Sequence, residues 1–213
     1  YADDLHGPWK VHAPGTLQLS ETACGNHIAS PDVLVDAENK ELLMYFHGKT
    51  RLGQLTFLAR SKDGLAWNAE KVALGPAYFR VFKHDGWTYA LTAVLGDRGS
   101  ILMRSQDGAT PFEAGPKLLP MSRHTAVLKR GDTLYAFFSR GEDEPERILV
   151  SEIKLKGDWK TWTASEPVTI IEPVEPYEGG DLPMEKSQFG KIYRRARQLR
   201  DPAVFEEDGK TYL

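Results

Sequence analysis

Apolar and polar residues alternate along most of this chain in short runs, and glycine, proline or aspartate interrupts them roughly every 8 to 12 residues. A spacing of two puts successive side chains on opposite faces, so the runs predict β-strands rather than helices. They come in pairs around a charged turn at residues 32–46 (DVLVDAENKELLMYF), 79–92 (FRVFKHDGWTYALT), 125–138 (TAVLKRGDTLYAFF) and 202–213 (PAVFEEDGKTYL), and each pair predicts a β-hairpin. A second pattern lies between these hairpins. Residues 58–67 (LARSKDGLAW) return 44 residues later as 102–112 (LMRSQDGATPF), with Leu58/Leu102, Arg60/Arg104, Ser61/Ser105, Asp63/Asp107 and Gly64/Gly108 in register. A weaker copy follows at 149–162, where Ser151 lies 46 residues after Ser105 and Trp159 and Trp162 take the aromatic place. In each copy a strand ends in Ser, a turn carrying Asp and Gly reverses the chain, and an aromatic residue restarts it.

Two hairpins per unit and a period of ~45 residues are what a propeller blade provides. A β-sandwich shares the short-strand pattern, but five matched positions at one offset argue against it. The predicted units cover residues 27–75, 76–119 and 120–171, and a fourth begins near 198 and stops inside its second strand. Residues 7–19 (GPWKVHAPGTLQL) resemble an outer hairpin and are assigned as an N-terminal closing strand, the alternative being a loose arm. The expected fold is therefore an all-β, five-bladed β-propeller, of which residues 1–213 form one domain of about three and a half blades; the rest is expected on a longer polypeptide. Residues 172–197 break the period as an inserted loop, whose Tyr177, Phe189, Ile192 and Tyr193 suggest an ordered cap.

A formal charge of −3 and a pI near 6.1 offer no basic patch, so neither nucleic acid nor an anionic membrane is an expected partner. No apolar run approaches the ~20 residues of a bilayer span, so the chain is expected to be soluble. Whether it works in the cytoplasm or beyond it, with a leader absent from this sequence, stays open, as does its oligomeric state. Cys24, the single cysteine, excludes an intrachain disulfide and reads as a small core residue.

In a propeller the innermost strands start at one face, and the loops after each second strand open onto it. The first-strand starts fall at residues 27–32 (HIASPD), at Tyr78 and Arg80, at Arg123 and His124, and at Arg200 and Asp201; the second-strand ends fall at 46–48, 93–95 (Ala93, Val94, Leu95) and 139–141. Aspartate, histidine and arginine at such places are costly against apolar neighbours and tolerable around a wet funnel. Two carboxylates there supply what glycoside hydrolysis needs, a proton for the leaving oxygen and a base or nucleophile. The candidate carboxylates are Asp32, Asp201 and Glu178, and the candidate ligand-binding residues are His27, His47, Arg80, Arg123, His124, Arg140 and Arg200. Structural alternatives remain: Asp32 and Asp201 stand beside proline and could form turns, Arg200 and Asp201 could pair, and Glu178 could be a solvated loop acid. The three histidines match no known metal-ligand spacing, and no metal or cofactor is expected.

Residues 200–213 (RDPAVFEEDGKTYL) and 30–48 (SPDVLVDAENKELLMYFHG), with the Ser-x-Asp-Gly turns, resemble the five-bladed propeller glycoside hydrolases of the arabinanase, xylosidase and invertase type, especially uncharacterised bacterial proteins related to them. The resemblance implies a glycosidase acting on an oligo- or polysaccharide, with Asp32 as base or nucleophile, Asp201 as the tuning carboxylate and Glu178 as acid. The alternative is a carbohydrate-binding propeller without catalysis.

Overall fold

The computed structural model of the protein describes residues 1–13, 15–93 and 98–213. Val94 and Leu95, named above at a strand end, and Pro14 of the N-terminal segment lie outside the described residues. The chain forms two units, Tyr1–Ala77 and Tyr78–Leu213.

In the first unit β1 (Ile28–Asp36), β2 (Glu41–Thr50), β3 (Gly53–Ser61) and β4 (Asn68–Ala69) pair in sequence order, all antiparallel, and β5 (Gly75–Pro76) also joins β3. Met44, Phe46, Phe57 and Ala59 are its buried apolar cluster. The expected N-terminal closing strand is absent: residues 1–27 hold no strand among the described residues, only a 3-10 turn at Leu19–Glu21. The segment closes on itself instead. The N-terminal ammonium donates to the Lys10 carbonyl, the Lys10 amide donates to the Tyr1 carbonyl, and the Trp9 indole donates to the Leu5 carbonyl, all within the segment.

The second unit holds two four-stranded meanders and a hairpin. The first meander is β6 (Arg80–His84), β7 (Trp87–Ala93), β8 (Ser100–Ser105) and β9 (Glu113–Leu118); the second is β10 (Ser122–Arg130), β11 (Thr133–Arg140), β12 (Ile148–Lys154) and β13 (Val168–Ile171); β14 (Phe205–Glu207) and β15 (Lys210–Tyr212) make the hairpin. One buried cluster joins the two meanders, with Leu91, Leu102, Leu134, Phe138 and Ile153 almost wholly enclosed. Burying a side chain of this size is worth roughly 2 kcal/mol. Tyr89 lies 5.1 Å from the Trp162 ring and 5.9 Å from that of Trp159, so the aromatic residues of the third repeat pack onto the second.

The repeated turn has one construction. The Asp63 carboxylate accepts from the Leu65 and Ala66 amides while Ser61 accepts from the Gly64 amide. Asp107 does the same for Ala109 and Thr110, and Ser105 for Gly108. In the third copy Asp158 caps Lys160. Gly64 and Gly108 sit at φ 76° and 72°, a left-handed conformation that costs glycine nothing.

Candidate functional site

The innermost strands carry a second recurrent feature, invisible in the hydrophobic pattern. Tyr78, His124 and Asp201 have φ of 66°, 42° and 53°, and each stands seven residues before the left-handed turn residue of its own hairpin, Asp85, Gly131 and Asp208. Ser30, at φ 51°, is also left-handed but stands ten residues before its hairpin's left-handed turn residue, Lys40. At Ser30 and His124 the cause is a bulge. The register steps from Ala29↔His47 to Asp32↔Tyr45 in one sheet and from Arg123↔Ser139 to Ala126↔Phe137 in the other, so one extra residue is accommodated. Left-handed non-glycine residues cost of order 1 kcal/mol or more and persist only where the surroundings hold them, commonly at functional sites.

In the second unit these strained residues meet. The His124 Nδ1 lies 3.3 Å from Asp201 Oδ1, and the Tyr78 ring lies 5.6 Å from the imidazole. The Nδ1–carboxylate contact has ion-pair distance without hydrogen-bond alignment. His124 is largely enclosed, and the Asp201 carboxylate is 70% exposed, so the pair has one buried and one wet member. Burial pushes the His124 pKa down; Asp201 opposes that shift, and Arg123, Arg200 and Arg80 reinforce it. The imidazole is therefore neutral at neutral pH.

The guanidiniums around this pair are held by the protein itself. Arg80 donates from Nε to the Thr125 carbonyl at 2.8 Å and from Nη1 to the Phe79 carbonyl at 2.9 Å. Arg123 donates to Glu146 Oε2 at 3.2 Å and to the carbonyls of Gln188 and Gly190 at 2.7 and 3.1 Å. Arg200 places Nε 3.0 Å from Glu146 Oε2 and donates to the Gly190 carbonyl and the Gln198 side chain. Arg140 pairs with Asp143 at 2.9 Å.

Of the residues singled out in the sequence, Arg80, Arg123, His124, Arg200 and Asp201 thus come together, with Tyr78 beside them. Glu178 does other work. Its Oε2 accepts from the amides of Val174 and Glu175, both at 3.0 Å, and caps the 3-10 turn Pro176–Glu178. In the first unit Asp32 stands at the β1 bulge opposite Tyr45, and the His27 and His47 rings meet edge-on at 6.0 Å. Asp32 is not the local counterpart of Asp201: it stands two residues after the left-handed Ser30, where the other repeats carry Arg80, Ala126 and Ala203. Burial raises the Cys24 thiol pKa, and the residue packs, partly buried, against the apolar cluster of the first unit. Among the described residues no group of three or more His, Cys, Asp or Glu is arranged to hold a metal ion, and no helix is long and apolar enough to cross a membrane.

Sequence reasoning missed Glu146. Its carboxylate is fully buried and accepts from the Ser139 hydroxyl at 2.7 Å as well as from Arg123. The inserted loop closes over it: Ser187 exchanges hydrogen bonds with residues 140–143, and Phe189 lies under the guanidiniums of Arg98 and Arg123 at 4.5 and 5.4 Å. Of the four apolar residues expected to anchor the loop, Phe189 takes part in these contacts, whereas Tyr177 and Tyr193 are exposed.

Several solved carbohydrate-active enzymes resemble this chain in fold. A GH43 β-xylosidase/α-arabinofuranosidase from a compost microbial metagenome, determined with xylotriose, is 13% identical over 92% of this chain and 66% of its own, with a TM-score of 0.58. The α-L-arabinanase of Cellvibrio cellulosa, determined with arabinohexaose, is 15% identical over 87% and 67%, with a TM-score of 0.56. A thermostable family-43 glycoside hydrolase is 16% identical over 71% and 58%, with a TM-score of 0.52. These likenesses show the fold, that of the family-43 β-propellers, and the chain spans 58 to 67% of those enzymes' length. No protein-family model matches the chain. An uncharacterized protein of Acanthamoeba polyphaga mimivirus is 37% identical over a 244-residue alignment that takes in all of this chain and 67% of that protein. This relative is viral, whereas the resemblance had implied bacterial ones. The chain belongs to the family of that mimivirus protein.

Proposed function

We propose that this protein is a glycosidase acting on an oligo- or polysaccharide, with Asp201 as a carboxylate of the reaction and His124, Tyr78 and Arg80 shaping its surroundings. The observation that carries the reading is the meeting of strained Asp201 and His124 in a fold used by enzymes determined with xylotriose and arabinohexaose. An exposed carboxylate beside an enclosed, neutral imidazole can accept a proton or a sugar hydroxyl without rearrangement. Asp32 is proposed as a further carboxylate on the strength of the family resemblance. A binding protein without catalysis is the second reading, favoured by one observation: the Glu178 carboxylate, the expected acid, is taken up by capping.

The test is hydrolysis of xylo- and arabino-oligosaccharides by the protein and by its Asp201→Asn and Asp32→Asn variants. Loss of a group that transfers protons costs roughly 10²- to 10⁴-fold in rate. Unchanged activity in Asp201→Asn would remove that residue from the reaction; saccharide binding without turnover in the unaltered protein would leave the second reading.

A further inference from the structure

We propose that Glu146 is a positioning residue that sets the distance and charge balance of the His124–Asp201 pair. The proposal rests on reading that pair as the site. A carboxylate with no exposed surface is costly unless its partners are fixed. Those of Glu146 are Ser139, Arg123 and Arg200, and they are not randomly placed. Arg123 directly precedes His124, and Arg200 directly precedes Asp201. One buried anion therefore ties down the neighbour of each member of the pair.

The main chain repeats the connection. The Glu146 carbonyl accepts from the Leu199 amide at 2.9 Å, and Glu146 forms a parallel bridge with Gln198. Side chain and backbone of one residue thus grip residues 198–200, the stretch that delivers Asp201 in its left-handed conformation. From the other direction Arg123 carries the hold into β10, where the bulge turns His124 towards Asp201.

Charge gives the second half of the role. The charged and titratable groups that face His124 are Asp201, Arg123, Arg200, Arg80 and, through its ring, Tyr78. Three guanidiniums against one exposed carboxylate would leave the imidazole in a strongly positive field. Glu146 lies against two of the three and neutralises part of that field at its source.

The experiment follows the His124 imidazole by NMR titration in the full chain, together with thermal melting, for Glu146→Gln, Glu146→Asp and Arg200→Met. Loss of the Glu146 charge is expected to lower the His124 midpoint by about half a pH unit or more. Glu146→Asp should restore part of it, and Arg200→Met should raise the midpoint by removing a cation. A folded Glu146→Gln with an unmoved midpoint, whatever its melting temperature, would reduce Glu146 to a stabilising ion pair and overturn the proposal. If that variant does not fold, the double variant Glu146→Gln/Arg200→Met, which removes the buried cation with the anion, decides: a midpoint as high as that of Arg200→Met alone overturns the proposal equally. The outcome does not depend on hydrolysis. An inactive protein that shows these shifts would defeat the glycosidase reading and leave the role of Glu146 standing.

Discussion

The Asp201 carboxylate stands 3.3 Å from Nδ1 of His124, and both residues hold left-handed backbone at the same point of successive repeats. Substituting either residue by glycine would relieve the backbone and remove the contact together, so the isosteric change is the informative one.

The His124 titration follows from this geometry. Burial holds its folded pKa below the ordinary value of 6.5, and Asp201 works against that shift. Asp201→Asn should therefore move the NMR midpoint of His124 further down. Because the folded value is the lower one, the unfolded chain takes up the proton first as pH falls. The contribution of His124 to stability is then complete above the unfolded pKa, declines as pH drops through about 6.5, and levels off below the folded value. Urea unfolding between pH 8 and pH 5 should show that decline, and His124→Asn should flatten it.

The turn aspartates give the opposite ionisation to test. The amides of Ala109 and Thr110 hold the Asp107 carboxyl well below the usual carboxylate range. A depressed folded pKa means stability that is present above the unfolded value of 3.8 and lost as pH falls through the folded one. Solvent screens this largely exposed group, so the pH effect is small. Asp107→Ala should cost about 1 kcal/mol at neutral pH, as lost caps do, and less in acid. Chemical denaturation at pH 7 and pH 2.5 measures both.

Gly141 is where the inserted loop presses on the sheet. A methyl group there would collide with the Phe189 ring, which lies under Arg98 and Arg123. Gly141→Ala should displace the ring at a cost of roughly 1 to 3 kcal/mol. Limited proteolysis should then cut faster within residues 172–197, and Phe189→Ala should show the same susceptibility without the clash.

The sheets were legible because each is encoded locally. Alternation writes the strands, and Ser61-to-Gly64 and Ser105-to-Gly108 write the turns within four residues each. Part of the candidate site was legible for the same reason: counting along the repeat put Arg123, His124, Arg200 and Asp201 at expected strand starts, and these residues come together. Glu146 could not be found this way. It lies in a charged run (GEDEPER) that reads as solvated loop, and its partners Arg123 and Arg200 are remote in sequence. The N-terminal strand failed because Trp9 and a following alternation imitate an outer hairpin while the segment's hydrogen bonds stay local. The proline beside both Asp32 and Asp201 does not report bulge register, so their different offsets from the left-handed residues could not be read from it. Aligning the hairpins on their turn residues would have set Asp201 beside Tyr78 and His124 instead.

Three left-handed positions, each seven residues ahead of its hairpin's left-handed turn residue, carry tyrosine, histidine and aspartate, no two alike. Identity at this spot is thus uncoupled from the scaffold that presents it. Such a module can present a phenol, an imidazole or a carboxylate by a single substitution while the sheets behind stay as they are.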